Sequence, residues 1–222
     1  MVADYDAVVF DNDGVLIELT DERLLAEAVQ EAFAAFDVAV DEQRALEMVS
    51  RDDPPDEAFE REIGVDPEAF WQRREANASA VQREAIRRGE KALYDDVAAL
   101  ESLDHRLGVV SNNQHETIEF ILDHHGLDEH FETVYGREPT LAGARRKKPN
   151  PSYIEQALDD LGTRSALYVG DSEKDVVAAH RAGIDAAFLR RDHRADLELD
   201  VTPTHEVRDL RELADRLAPR SE

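Results

Sequence analysis

Five short apolar runs, Ala7–Phe10, Leu107–Val110, Thr133–Tyr135, Ala166–Val169 and Ala186–Leu189, each stop at polar or small residues. A sixth and shorter run lies at His205–Val207. Between them the apolar spacing turns helical, over Thr117–His125, Pro151–Leu161, Lys174–Ala182 and Val207–Leu217. Strands that alternate with helices of this length predict βαβ units and a parallel sheet. Near-continuous apolar strands also fit a sheet covered on both faces.

One region breaks the alternation. From Thr20 to Arg88 the pattern is almost wholly helical, with Leu24, Leu25, Ala28, Val29, Ala32 and Phe33 in helical register. Thr20 or Asp21 could cap the first helix, and Asp52-Asp53-Pro54-Pro55 and Gly64-Val65-Asp66-Pro67 punctuate the rest. About seventy helical residues are too many for a crossover between neighbouring strands. The spacing therefore predicts an inserted all-helical domain at 19–91, with residues 1–18 and 92–222 forming the α/β core.

The charge balance narrows the partners. The chain has 222 residues, 51 Asp and Glu against 26 Lys and Arg, and a formal net charge of −25. Nucleic acid and anionic membranes both reward basic surface, so neither is expected as a partner. No apolar run approaches the length of a bilayer span and the N-terminus lacks a basic-then-apolar leader pattern, so a soluble, cytoplasmic protein is expected. There are no cysteines, which excludes thiol nucleophiles and thiolate metal sites. Only four cations are lysines, Lys91, Lys147, Lys148 and Lys174. This texture resembles that of proteins from halophilic organisms, where at molar salt a Debye length of about 3 Å screens self-repulsion. An ordinary acidic, solvated surface is the alternative.

Ligands of open α/β sheets gather at the carboxyl ends of the strands, where strand order reverses. Here the first strand delivers Asp11 and Asp13, the second Ser111, Asn112 and Asn113, and a later one Gly170, Asp171 and Ser172 with Asp175 following. Between the last two sits Lys148-Pro149-Asn150-Pro151. Adjacent carboxylates such as Asp11 and Asp13 repel unless a cation or a shared proton holds them. Against so acidic a background the pattern D-x-D-G alone carries little weight. Four motifs at compatible strand ends carry much more.

The set DNDG, VVSN, KPNP and GDSEKD, in that order, resembles the haloacid dehalogenase-like hydrolases, over about residues 1–18 and 92–192. That resemblance implies a Rossmann-like parallel sheet core flanked by helices, with the helical insert in the place of the family's cap. It further implies that Asp11 is the nucleophile, forming an aspartyl-phosphate, and that Asp13 is the general acid and then the base. Mg²⁺ would be held by Asp11, the Asp13 carbonyl and Asp171, hard oxygen ligands of the kind that ion takes. Ser111, the Asn112 amide and Lys148 resemble the groups that hold phosphoryl oxygens, and Asp175 resembles a partner of the lysine or of a metal-bound water. Asn12 departs from the pattern, since family members often carry an apolar residue there. Strand alternation predicts that its side chain points away from both aspartates.

Each piece also has a plainer reading. Asp13-Gly14 could be a turn, Ser111-Asn112-Asn113 a helix cap, Arg145–Lys148 a solvated charge run, and Asp175 a charge at a helix N-terminus. His124, His125 and His130 match no motif and read as surface residues. An acid at Asp13 argues for an oxygen leaving group, and the insert's position resembles the phosphoglycolate phosphatase and β-phosphoglucomutase branch. The expectation is a Mg²⁺-dependent phosphatase for a small phosphate ester. A phosphomutase or a non-catalytic module on the same fold are the alternatives. Arg51 and the Arg73-Arg74 pair could reach a substrate anion or simply belong to an amphipathic surface. The sequence sets neither the ester nor the oligomeric state.

Overall fold

The computed structural model describes residues 4–51 and 53–218. Packing divides the protein into two compact units. One takes the residues up to Glu18, Leu93–Gly136 and those from Lys147 onward; the other takes Leu19–Ala92 and Arg137–Arg146.

The first unit is the α/β layer. Six strands, β1 Ala7–Phe10, β2 Arg106–Gln114, β3 Thr133–Arg137, β4 Ala166–Gly170, β5 Asp185–Leu189 and β6 His205–Val207, form one sheet in the order β3-β2-β1-β4-β5-β6. The pairs β1–β2, β1–β4, β4–β5 and β5–β6 are parallel, with Phe10 opposite Val109 on one side and Val169 on the other. All four β1 residues are buried because the strand alternates between two cores. Val8 and Phe10 pack with Leu107, Ile118, Leu167 and Leu213. Ala7 and Val9 pack on the opposite face with Tyr153, Leu158, Tyr168 and Phe188. Burying a side chain such as Phe10 contributes roughly 2–3 kcal/mol. The helices α5 His115–His125, α7 Ser152–Asp160, α8 Glu173–Arg181 and α9 Leu210–Leu217 follow β2, β3, β4 and β6, so β1 and β4 flank the point where strand order reverses.

The second unit is helical. Its four main helices are α1 Glu22–Ala34, α2 Glu42–Arg51, α3 Glu57–Ile63 and α4 Pro67–Arg87. Asp21 rather than Thr20 caps α1, accepting from the Arg23 N–H at 2.8 Å. Phe33, Phe59 and Phe70 meet at its centre with ring centroids 4.4 to 6.0 Å apart, contacts worth about 0.5–1.5 kcal/mol each beyond their buried area.

Residues 137–146, which the pattern assigned to the α/β core, pack instead with the helical unit. They include α6 Leu141–Arg145, and a buried ion pair binds them there: Glu75 on α4 takes Arg74 on one carboxylate oxygen and Arg137 on the other. Arg74 is therefore a buried partner and not an amphipathic surface residue, while Arg73 and Arg51 are exposed. Asp52 of the punctuating motif lies outside the described residues, as do residues 1–3 and 219–222. Among the described residues no helix is long and apolar enough to cross a membrane.

Candidate active site

Asp11 leaves the end of β1 and is 9% exposed. Its Oδ1 accepts from the Asn12 N–H at 2.8 Å and faces the Lys148 ammonium at 3.0 Å. No protein donor reaches Oδ2 among the described residues. Burial pushes this carboxyl up to about 7; Lys148 opposes the shift, and Asp175 and Asp171 add to it.

Lys148 is 2% exposed, so the Arg145–Lys148 run is not one solvated stripe: Arg145 is exposed and the last lysine is buried. Its Nζ lies 2.6 Å from Tyr168 Oη, 2.7 Å from Asp175 Oδ1 and 3.2 Å from the Val110 carbonyl. An ammonium has three protons for these acceptors and Asp11 together, so at least one of the four contacts is an ion pair without a proton of its own. Burial alone would lower the Lys148 pKa, but the Asp11 and Asp175 carboxylates win and raise it. The Tyr168 hydroxyl donates to Val110 O at 2.6 Å, and burial beside Asp11, Asp175 and Asp171 keeps it a neutral phenol.

Asn112 supports the lysine from behind. Its side-chain Nδ2 donates to the Lys148 carbonyl at 3.0 Å and its Oδ1 accepts the Lys148 N–H at 2.7 Å. The side chain thereby ties β2 to the loop that carries the lysine. Ser111 is 2% exposed and lies inside β2, which runs on to Gln114 instead of stopping at Val110, and its Oγ accepts the Asn113 N–H at 3.2 Å.

Asp13 stands in a different environment. It is half-buried, and its Oδ2 accepts from Asn113 Nδ2 at 2.9 Å and Asn12 Nδ2 at 3.2 Å. Asn12 is thus fully buried and turned toward Asp13, against the alternation argument. The reason is that β1 ends at Phe10. Beyond it the backbone enters a tight turn in which the Asn12 carbonyl accepts from the N–H groups of Val15, Leu16 and Ile17. Strand parity no longer applies there.

Asp171 follows β4 and is 3% exposed. Its Oδ2 meets His193 Nε2 at 2.7 Å and Arg194 Nε at 3.1 Å, while no donor reaches Oδ1 among the described residues. Gly14, with a φ of +79°, lies so close that a Cβ there would stand 2.5 Å from Asp171 Oδ2. Asp175 sits on α8, where its Oδ2 accepts both the N–H and the O–H of Ser172 at 3.0 and 2.6 Å. It is therefore a helix-cap residue and a lysine partner at once.

Asp11, Asp171 and Asp175 each bring one oxygen within 4.8 Å of the others. These are hard donors in a buried setting, and Asp11 and Asp171 each have one oxygen held and one open. That donor set fits a small divalent cation. Asp175, already engaged by Ser172 and Lys148, is the least available of the three.

Sequence reasoning missed Tyr168, His193 and Arg194. Tyr168 is hidden in an apolar strand, where its ring reads as core. The cations after β5 had a visible signal, since RRDHR is a dense basic cluster in a very acidic protein.

A family model described as haloacid dehalogenase-like hydrolase matches residues 8–189, a span that holds DNDG, VVSN, KPNP and GDSEKD. Among curated relatives, the pyrophosphatase PpaX of Bacillus cereus (strain AH820) is 31% identical over 101 residues, 45% of each chain. A phosphoglycolate phosphatase of Colwellia psychrerythraea is 35% identical over 106 residues, again 45% of each. The matches thus span about half the length of these relatives. CbbY from Rhodobacter sphaeroides, solved in complex with phosphate, superposes with a TM-score of 0.68 at 22% identity, covering 94% of this chain and 96% of that one. A HAD-superfamily hydrolase, subfamily IA, variant 1, from Geobacter sulfurreducens gives 0.61 at 21%, covering 95% and 98%. At that identity the likeness carries the fold, and the family match carries the motifs onto it. Sheet, motifs and match agree, and the chain belongs to the haloacid dehalogenase-like hydrolases.

Proposed function

We propose that the protein is a Mg²⁺-dependent phosphomonoester hydrolase that acts through an aspartyl-phosphate. The observation that carries this reading is the unequal treatment of two neighbouring carboxylates. Asp11 is anchored through Oδ1 by Lys148, with Oδ2 open, whereas Asp13 is held by two side-chain amides outside that lysine network. Carboxylates in contrasting environments take different roles.

In this reading Asp11 Oδ2 attacks phosphorus as the bond to the leaving alcohol oxygen breaks, and Asp13 gives that oxygen its proton. Asp13 then takes a proton from the water that attacks the phosphoryl group, which leaves as inorganic phosphate and frees Asp11. Lys148, the Ser111 hydroxyl and the Asn112 amide hold the phosphoryl oxygens. Asp11 and Asp171, with the Asp13 carbonyl, hold Mg²⁺, which supplies positive charge that keeps Asp11 ionised and offsets the phosphate's own charge. Asp175 and Tyr168 position Lys148.

The curated relatives are named for pyrophosphate and phosphoglycolate, both small phosphorylated anions. We therefore assign a small phosphorylated metabolite as the substrate class. The test is hydrolysis of p-nitrophenyl phosphate and a panel of phosphomonoesters, at low and at molar KCl. Activity that requires Mg²⁺, falls with EDTA and drops on the order of 10⁴-fold or more in Asp11→Asn is the expected result. A folded wild-type protein inert across metals, salts and esters would instead indicate a binding module.

A further inference from the structure

Directly after β5 the sequence places four basic residues within five positions: Arg190, Arg191, His193 and Arg194. Two of them build a loop. Arg190 Nη1 donates to the carbonyls of Arg194, Ala195 and Leu197 at 3.0, 3.2 and 3.0 Å, and its Nε meets Glu206 at 2.5 Å. Arg191 is 8% exposed and grips Asp96 with both Nη atoms at 2.7 and 2.9 Å. It also donates to the Val15 carbonyl at 2.6 Å and stacks 3.9 Å from the Tyr94 ring centre. The other two are delivered by this frame to a single atom, Oδ2 of Asp171, at 2.7 and 3.1 Å. Both lie beyond Leu189, where the family match ends.

We propose that His193 and Arg194 are positioning residues for the divalent cation, holding Asp171 by Oδ2 so that it offers the ion its other oxygen alone. This rests on the reading of Asp171 as a metal ligand. A carboxylate held this way binds one-handed. Mg²⁺, small and strictly octahedral, accepts that arrangement, whereas Ca²⁺ takes more oxygens and often both from one carboxylate. The clamp should therefore strengthen Mg²⁺ binding and disfavour Ca²⁺. Loop residues that hydrogen-bond a ligand in this way commonly set metal affinity.

The experiment is titration calorimetry of the full-length protein with Mg²⁺ alone and with Ca²⁺ alone, without substrate. His193→Ala and Arg194→Ala should each weaken Mg²⁺ binding about tenfold and weaken Ca²⁺ binding much less, so the Mg²⁺/Ca²⁺ affinity ratio falls. Arg194→Lys should recover part of the ratio. Circular dichroism in EDTA shows whether each variant folds. Should an alanine variant unfold, His193→Gln and Arg194→Gln carry the same test. An unchanged or raised ratio in folded variants overturns the proposal. Asp171→Asn separates the two readings. If it binds Mg²⁺ as wild type does, the metal assignment itself fails; if it loses Mg²⁺ while the clamp variants keep theirs, only the clamp fails.

Discussion

The two units bury charge in opposite ways. In the helical unit Glu75 has an arginine for each carboxylate oxygen, Arg74 on one and Arg137 on the other. In the α/β unit Asp11 and Asp171 are each gripped on one oxygen, and the other meets no protein donor among the described residues. The first arrangement completes itself within the protein. The second is arranged around something the protein does not supply. Burial of a carboxylate is thus no mark of function by itself; the open oxygen is.

The largest effects should come from breaking the second arrangement. Lys148→Ala leaves Asp11 and Asp175 buried without their cation and should cost about 3–5 kcal/mol in metal-free protein. It should also cut turnover of p-nitrophenyl phosphate by on the order of 10²–10³-fold. Calorimetric unfolding in EDTA and steady-state assays read the two separately. Glu75→Gln should cost about 3 kcal/mol, because two buried guanidinium groups lose one carboxylate. The contrast is that the rise in melting temperature with added Mg²⁺ should equal that of wild type in Glu75→Gln and grow in Lys148→Ala, where the ion supplies the charge that the lysine gave Asp11 and Asp175. An equal rise in both variants would erase the distinction.

Gly14→Ala should destabilise by about 1–3 kcal/mol, through positive φ and collision with Asp171, and should weaken Mg²⁺ binding measured by calorimetry. A pH effect is next. Asp11 holds its proton up to about 7 in the fold, against 3.8 for the ordinary carboxyl. A raised acid binds protons more tightly when folded, so its contribution is full below about 3.8 and is lost as pH rises through about 7. Melting temperatures in EDTA should fall across that window, and Asp11→Asn should flatten the trend. The smallest effect belongs to exposed pairs: removing Arg88, which meets Glu84 at 2.9 Å on α4, should change stability by less than about 0.5 kcal/mol.

Much of the α/β unit is written locally. Apolar strands ended by DNDG and GDSEKD place Asp11 and Asp171 because a strand end needs only its own few residues to define it, whereas β2 runs on past the apolar stretch and carries Ser111 within it. Lys148 was legible as a motif, but its burial was not, since the neighbours that bury it come from β1, β2, β4 and α8. Asn12 was misplaced because parity was carried two residues past the end of β1 at Phe10. The clamp on Asp171 depends on Arg191 reaching Asp96, ninety-five positions away, and no local pattern announces such a contact. The helical unit had legible helices, but the attachment of residues 137–146 to it rests on long-range ion pairing with Glu75.

That attachment has a consequence for modularity. The polypeptide passes between its two units four times, so the helical unit is not a cassette bounded by two cut points. A recombinant that exchanged residues 19–92 for a foreign insert would leave Arg137 behind, while Glu75, its buried partner, would depart with the excised piece. Successful transplantation should require both stretches to travel together, donor α4 with donor α6, joined as one graft.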